Sequence, residues 1–249
     1  MDRPKLVWKE NAKGKWVLPK LAASAPAPAA ESAPAKPENP PVGKTEKAVA
    51  FDIARLNVNG GAADLFDNEG KQVLACTGVN VTCTTVTESK VEGVVEIGHL
   101  VWAESVALDN VRAPFIWSGG ELTVTKLTGT LAGGAATGSF KARPKAENSP
   151  FEAEFQCEKV DLARFTANLG WKVGQAAGTA AAQLRVAGDL DRLNRATGPG
   201  QFQLTDARFK QLDFLQSIGK ALDIQELTDL RLKDGHGEFR LADKKIHVD

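Results

Sequence analysis

The segment from Phe151 to Cys157 alternates strictly between apolar and polar residues. Phe151, Ala153, Phe155 and Cys157 take every second position, and glutamate or glutamine stands between them. Alternation with a period of two predicts a β-strand that has one dry face and one wet face. The pattern therefore raises the question of what covers the dry face.

Alternating segments, separated by turn residues, continue along most of the chain from Val49. Turns are predicted at four glycine-containing sites and in one loop bracketed by prolines, namely residues 59–61, 68–70, 119–120, 133–134 and 144–150. The Asn-Gly-Gly sequence at 59–61 is a strong hairpin signal. We therefore expect a protein that is mostly antiparallel β-sheet.

Two segments have the periodicity of a helix instead. Residues 160–169 have Asp161 as an N-cap and Gly170 as a stop. Residues 209–224 carry leucine and isoleucine at helical spacing, and Asp213 is the predicted cap. Two short helices cannot cover the dry face of so many strands, so most of that face needs a different cover.

A weak internal repeat accompanies the strands. Residues 138–142, 200–204 and 237–241 share the order glycine, polar residue, phenylalanine, polar residue, and alanine or leucine. Each is typical of a strand whose phenylalanine and following apolar residue point to the same side. The repeat suggests a meander built from similar strands.

Proline and alanine dominate residues 22–47. Seven of the twelve prolines lie between Pro19 and Pro41. This composition cannot bury enough apolar surface to offset its ordering entropy, so the segment is predicted to be an exposed loop or linker. A plain surface insertion between two strands is an equally good interpretation. The segment separates leading strands within residues 1–21 from the main β region at residues 48–249.

The charge balance narrows the classes of partner. The chain has 31 basic and 31 acidic residues, and its formal net charge is zero. Nucleic-acid binding requires a strongly basic surface, so no nucleic-acid partner is predicted. No apolar run reaches the roughly 18 residues of a membrane span, and the first residues lack the pattern of a signal peptide. Because the alternation still runs at Asp249, we expect the sequence to be part of a longer protein.

The three cysteines, Cys76, Cys83 and Cys157, form no metal-binding motif. The simplest interpretation is that they are small apolar residues in strands. A disulfide between Cys76 and Cys83 in an oxidising compartment stays open at this point.

No constellation of residues indicates catalysis. His99, His236 and His247 lie in different segments, and the sequence has no zinc-protease, nucleophile-elbow or phosphate-loop motif. The aspartates of the C-terminal half are typical of turns and helix caps, and the five tryptophans are scattered in the manner of core residues. We therefore predict a non-enzymatic protein without catalytic residues, a metal site or a cofactor.

The order and spacing of segments from Leu122 onward resemble the C-terminal region of AsmA-like proteins. The resemblance rests on LTVTKLTGTLAGGAATGSFKAR at 122–143, on the strand and short helix at 151–170, and on the strands and leucine stripe at 178–222. Two upstream segments, LVWKENAKGKWVLP and FDIARLNVNGGAADLFDNEGKQVLACTGVNV, are similar as well. The sequence departs from the family in Pro199, in Ala132 where an aromatic is often found, and in having no N-terminal transmembrane anchor.

The resemblance implies a long, curved, mostly antiparallel sheet that forms an open groove with an apolar concave face and a polar outer face. AsmA-like proteins lie in the periplasm of Gram-negative bacteria, usually tethered to the inner membrane. They are associated with phospholipid transport toward the outer membrane and with outer-membrane biogenesis. By the same resemblance, the partners expected here are phospholipid acyl chains and inner- and outer-membrane proteins, and the tether is expected in a segment outside this sequence.

The resemblance also answers the question of what covers the dry face, because it implies that acyl chains do. The candidate residues of this lipid groove are Leu122, Val124, Phe151, Ala153, Phe155, Cys157, Phe202, Leu204, Phe239 and Leu241. Two alternatives remain open. One is an assembly scaffold for outer-membrane proteins that transfers no lipid, and the other is a carbohydrate-binding β-sandwich whose phenylalanines form a closed core.

Overall fold

A computed structural model describes residues 3–9, 56–67, 69–87, 89–172, 174–210, 229–242 and 245–248. These residues form one open sheet of twelve strands, and each strand pairs with its neighbours in the sequence. The prediction of a mostly β protein is therefore confirmed. The proline-rich segment at 22–47 lies outside the described residues.

Each strand is defined by its first and last residue. The strands are β1 (Lys5–Lys9), β2 (Leu56–Phe66), β3 (Gln72–Val86), β4 (Lys90–Trp102), β5 (Val106–Ser118), β6 (Glu121–Leu131), β7 (Gly134–Ala142), β8 (Pro150–Asp161), β9 (Ala176–Asp189), β10 (Gly198–Lys210), β11 (Asp229–Ala242) and β12 (Lys245–Val248). One α-helix, α1 (Leu162–Asn168), and one 3-10 helix (Leu190–Arg195) interrupt the strands in the described part of the chain.

One pair of strands departs from the antiparallel pattern. β1 runs parallel to β2, with Lys5 opposite Ala62 and Lys9 opposite Phe66, whereas the other pairs are antiparallel. A parallel pair needs a long connection between its strands, and 46 residues separate Lys9 from Leu56 in the sequence. β1 therefore belongs to the same sheet as the rest of the described strands. Residues 10–21, where a second leading strand is predicted, lie outside the described residues.

Four of the predicted turns are confirmed. Between β2 and β3, the Asp67 carboxylate accepts hydrogen bonds from the backbone N–H groups of Glu69 and Lys71, at 3.0 and 2.8 Å. Gly119 and Gly120 both have positive φ, 59° and 79°, as the tightest hairpin turns require. A similar turn begins at Ala132, one residue before the predicted pair of glycines, and a loop connects β7 to β8.

The hairpin predicted at Asn59-Gly60-Gly61 is wrong. β2 runs straight through this sequence, and its pairing with β3 shifts register between Val58 and Gly61. Gly60 has a φ of 61°, and its N–H donates to Asn80 Oδ1 at 2.8 Å. A glycine with left-handed backbone serves a β-bulge as well as it serves a turn, and here it makes a bulge.

Similar interruptions recur in neighbouring strands. Positive φ angles occur within strands at Gly60, Gly78, Asn110, Lys159, Gly178 and Asp206. Register shifts accompany those in β2, β5, β8 and β10. A bulge bends its strand and shifts the alternation of side chains by one position. For this reason Cys157 and Val160, which stand on either side of the bulge at Lys159, belong to the same face.

The helix predicted at 160–169 is confirmed, although β8 extends to Asp161 and delays its start. Asp161 caps α1 by accepting a hydrogen bond from the Arg164 N–H at 3.0 Å. The start predicted for the second helix is wrong, because Phe209 and Lys210 are the last residues of β10. The remainder of that prediction, residues 211–224, lies outside the described residues.

Two buried clusters cover the two ends of the dry face of β8. The first cluster joins Ala142, Phe151, Ala153 and Ala196, against which Phe140, Val186 and Leu190 pack. The second joins Leu162, Ala176 and Ala207, against which Trp171, Ala180, Leu204, Phe209 and Leu232 pack. The 3-10 helix and the residue after it cover one end, and α1 with Trp171 covers the other. Protein therefore covers both ends of this face.

The pairing of β10 with β11 includes an ion-pair cluster that makes stability depend on pH. Arg208 Nε donates to Asp229 Oδ1 at 2.6 Å, and Arg231 Nη2 donates to Oδ2 at 3.1 Å. The hydrogen bond from Arg208, and then that from Arg231, hold the pKa of Asp229 well below its usual range. A carboxylate with a lowered pKa stabilises the folded state above its unfolded pKa of about 4, and this contribution is lost as the pH falls toward the folded pKa.

We expect Asp229→Asn to lower the urea midpoint at pH 7 and to have a smaller effect at about pH 2, where the wild-type carboxylate is almost fully protonated in the unfolded state and most of its stabilising contribution is lost. Urea unfolding at the two pH values measures this difference. The control is Asp234→Asn on the same strand, which removes an exposed carboxylate that lies outside the cluster. An Asp229→Asn effect of equal size at both pH values would contradict the expectation.

Candidate binding faces of the sheet

The ten candidate residues lie on one face of the sheet. Residues directly opposite each other in paired strands share a face. Two rows of opposite residues connect β6 to β8, namely Leu122–Ala142–Phe151 and Val124–Phe140–Ala153. Because Phe151 and Ala153 alternate with glutamates along β8, these rows lie on the face that also carries Phe155. We call it the Phe155 face.

The remaining candidates follow from the rows that connect β8 to β11. These rows are Phe155–Leu184–Gly200–Phe239 and Cys157–Ala182–Phe202–Gly237, with Ala180–Leu204–Gly235 beside them. Leu241 stands opposite Gly198, two residues before Gly200 in β10, and so belongs to the same face. The structure thus brings the ten residues to one side, although they come from four strands, β6, β8, β10 and β11.

The ten residues differ in how much protein covers them. Phe151 and Ala153 are buried in the first cluster, with 7% and 5% of their surface exposed. Phe155 is 41% exposed, although it stands on the same strand and face. We call the two rows that contain Phe155 and Cys157 the central strip. It lies between the two buried clusters, and its side chains on β9 to β11 are half-buried.

Several phenylalanine rings of the Phe155 face lie over glycines of neighbouring strands. A Cβ atom on Gly200 would stand 2.2 Å from Phe239 Cζ, and one on Gly237 would stand 2.6 Å from Phe202 Cζ. On each strand of this pair, the glycine therefore lies beneath the phenylalanine ring of the other strand. This reciprocal packing of rings on glycines is the physical basis of the repeat at 200–204 and 237–241.

The first copy of the repeat, residues 138–142, packs its glycine and its phenylalanine against a different strand, β8. Phe155 lies over Gly138, where an added Cβ would come within 3.1 Å of the ring. Phe140, in contrast, stacks on Phe151 with 6.0 Å between ring centroids. The Phe155 ring thus covers Gly138, which has no side chain of its own to pack on this face.

The opposite side of the same strands is polar, and we call it the Gln183 face. One row on it is Gln156–Gln183–Gln201–Glu238. The Gln201 amide Nε2 donates to Gln183 Oε1 at 2.8 Å, and Arg185 pairs with Glu154 at 3.1 Å. The sequence shows the polar positions of each strand, but only the register brings these glutamines into one row.

Two recesses open on the Gln183 face. One has a volume of about 550 Å³ and extends over β8 to β11. The other has a volume of about 440 Å³, and Glu154, Arg185 and Lys141 line it together with neighbouring residues. The family resemblance leads to the expectation that the apolar face is the concave one, whereas both of these recesses lie on the polar side.

All three cysteines have free thiols. Cys76 and Cys83 lie in the same strand, β3, and a rise of seven residue steps along the strand separates their Cα atoms by about 23 Å. A disulfide needs Cα atoms within roughly 7 Å, so the pairing left open by the sequence does not occur in this fold. Burial raises the pKa of each thiol, which lowers its reactivity.

A histidine–aspartate pair that is not evident from the sequence links β4 and β5. His99 Nδ1 lies 2.6 Å from Asp109 Oδ1, and both side chains are exposed. In a catalytic triad the histidine stands between the acid and the nucleophile. Here the nearest hydroxyl on the next strand, Thr130 Oγ1, donates to the backbone oxygen of Asp109 at 3.3 Å, so the aspartate stands in the middle instead. The pair is a side-chain contact across two strands.

The described residues contain no group of three or more histidine, cysteine, aspartate or glutamate side chains placed to hold a metal ion. Within the same residues, no helix has the length and apolar composition needed to cross a membrane.

Comparison with other proteins gives no assignment. No family model matches the chain, and neither a curated protein nor a solved structure matches it. The resemblance to AsmA-like proteins therefore stays a hypothesis that rests on the sequence, and function has to be argued from the two faces of the sheet.

Proposed function

We propose that the protein binds phospholipid acyl chains along the central strip of the Phe155 face. The observation that carries this proposal is the exposure of Phe155, a large aromatic that stands between two buried clusters and within a row of apolar residues. Exposed apolar side chains that form a continuous patch are typical of surfaces that bind a partner or a lipid.

The strip has the length and chemistry of an acyl chain. The row through Phe155 continues to both sides and comprises Leu127, Gly138, Phe155, Leu184, Gly200, Phe239 and Val248. None of these residues has a polar side chain. Seven strands spaced by about 4.8 Å span roughly 29 Å, whereas the hydrocarbon depth of one leaflet is about 15 Å.

An acyl chain can therefore lie along the row, across the strands, with its headgroup in water. Each methylene that leaves water contributes about 0.8 kcal/mol, so a chain bound along half of the row, with one side covered by protein, gains several kcal/mol. Such binding requires no catalytic group, and the proposal accordingly assigns the protein neither an enzymatic step nor a cofactor.

The biological role proposed with this binding is phospholipid transport or outer-membrane biogenesis in the periplasm of a Gram-negative bacterium, from an inner-membrane tether. It rests on the AsmA-like resemblance. Inner- and outer-membrane proteins are the protein partners that this role implies.

A photo-reactive amino acid at Phe155 tests the proposal in living Gram-negative cells. We expect it to crosslink to phospholipid, identified by mass spectrometry of the purified adduct. The matched control is the same amino acid at Glu154, the adjacent position on the opposite face, which we expect to give no lipid adduct.

Equal phospholipid yields at the two positions, or none at Phe155, would contradict lipid binding on this face. Native mass spectrometry of the untreated protein gives an independent measurement. Absence of co-purified phospholipid there, together with no adduct at Phe155, would favour the assembly scaffold.

A further inference from the structure

Four glutamines are among the sixteen residues that line the larger recess on the Gln183 face. Its floor includes the row Gln156–Gln183–Gln201–Glu238, and Gln203 and His236 stand beside that row. Neighbouring members of the row are about 4.8 Å apart because they stand on adjacent strands. The recess is thus a surface of regularly spaced polar groups with a volume of about 550 Å³, within the range of small-molecule sites.

Most of the hydrogen-bonding capacity of these amides stays available to a ligand. Each glutamine has two N–H donors and an oxygen with two lone pairs. Gln201 and Gln183 use one donor and one acceptor between them, at 2.8 Å, and Gln156 donates once to Glu158 at 2.9 Å. Gln203 makes no side-chain hydrogen bond to the rest of the described chain. The recess therefore offers donors and acceptors side by side.

The charges around the recess disfavour anions. Glu158 and Glu238 line it, and Lys159 is the cation among its lining residues, with His236 as a further titratable group. Two carboxylates against one ammonium leave the site with a formal charge of minus one when the histidine is neutral. Carboxylates only accept hydrogen bonds, so the site matches a ligand that carries no negative charge and donates hydrogen bonds, as hydroxyl groups do.

From this geometry we infer that the recess binds a neutral carbohydrate chain. Sugar hydroxyls both donate and accept, as do the glutamine amides that face them. The smaller recess adjoins the first, since the Glu154–Arg185 pair stands one row away from Gln156 and Gln183 on the same strands. A ligand longer than one sugar can therefore extend from one recess into the other.

A peptide fits this surface less well. Peptides that bind sheets by their backbone add to an edge strand. Thirteen of the sixteen residues that line the recess belong instead to β8, β9 and β10, strands that pair with a neighbour on both sides. The residues that form the row also provide no apolar pocket for peptide side chains.

Carbohydrate binding is independent of lipid binding because the two ligands occupy opposite faces of the same strands. Loss of one activity leaves the other intact. Lipid crosslinking at Phe155 therefore distinguishes a failure of this inference from a failure of the proposed function.

Saturation-transfer NMR and calorimetry on the full chain test the inference, with maltohexaose, cellohexaose and chitohexaose as neutral probes. We expect at least one of them to bind, and the double variant Gln183→Ala/Gln201→Ala to weaken its affinity about tenfold through the lost hydrogen bonds. Heparin, which is polyanionic, is expected not to bind.

The matched control is Gln72→Ala on β3. Gln72 also makes one side-chain hydrogen bond, to Asp64 at 3.0 Å, but lies far from the recess in strand order, and we expect it to leave affinity unchanged. If the double variant fails to fold, Gln203→Ala replaces it, because its amide bonds to no described residue and its loss is expected to leave the melting temperature unchanged.

Three results would overturn the inference. The first is that none of the three oligosaccharides binds. The second is that binding survives in a folded double variant or in Gln203→Ala. The third is that an extended glycine–serine peptide binds and displaces the saccharide, since that would make the recess a peptide site.

Discussion

Gly198→Ala is expected to disrupt the pairing of β9 with β10 and to lower the free energy of unfolding by about 3 kcal/mol or more. An added Cβ would stand 1.7 Å from the backbone oxygen of Arg185 and 3.0 Å from the Cα atom of Val186. Both neighbours are backbone atoms of the adjoining strand, so no side-chain rotation can make room. The strands must separate where the Ala187–Thr197 bridge holds them.

The matched control for this substitution is Gly235→Ala on β11. A Cβ there would meet Leu232 Cδ1 at 3.5 Å and Leu204 Cβ at 3.6 Å, which are ordinary van der Waals distances. We expect a change within about 0.5 kcal/mol, because the added methyl group packs and an alanine loses less backbone entropy than a glycine. Urea unfolding of both variants measures the contrast, and equal losses would contradict the role assigned to Gly198.

Local signals in the sequence predicted the parts of the fold that depend on neighbouring residues. The alternation at Phe151–Cys157 identified β8 and its two faces, and Asp161 with Gly170 located α1. Each of these features depends on a few consecutive side chains, either through the period of a strand or through a cap that bonds to the next turn.

The prediction at Asn59-Gly60-Gly61 failed because a hairpin turn and a bulge need the same local conformation. Both require positive φ, which glycine supplies, and only the partner strand decides between them. β3 pairs with β2 on both sides of Gly60, so the chain continues through the glycine. The parallel pairing of β1 is likewise invisible to local patterns, because it depends on residues far apart in sequence.

The sequence predicts which residues of the candidate site share a face of the sheet, but not which of them are buried. Alternation placed Phe151 and Phe155 on one face, and nothing in their own segment distinguishes them. The distinction comes from Leu190 and Ala196, which follow β9 and belong to the cluster that buries Phe151 and does not include Phe155. The glutamine row was missed for a similar reason, since Gln156, Gln183 and Gln201 come from three strands and meet only through their register.

Phe151→Glu and Phe155→Glu are expected to have opposite consequences, although both place a carboxylate on the same face of β8. Phe151 is 7% exposed and stacks on Phe140, so a glutamate there buries an unpaired charge. We expect this variant to lose about 3–5 kcal/mol and to be unfolded or nearly so. Phe155 is 41% exposed, and a glutamate there keeps its contact with water while the strip is empty.

The Phe155→Glu variant should therefore melt within a few degrees of the wild type when free of lipid, at a cost of about 1 kcal/mol or less. It should also lose co-purified phospholipid, because an acyl chain on the central strip would have to desolvate the carboxylate. Thermal melting of delipidated protein and mass spectrometry of the lipid extract measure the two effects. If Phe155→Glu unfolds as completely as Phe151→Glu, then Phe155 belongs to a closed core, and acyl chains do not cover this strand. If it folds and retains its phospholipid, lipid binds elsewhere on the molecule.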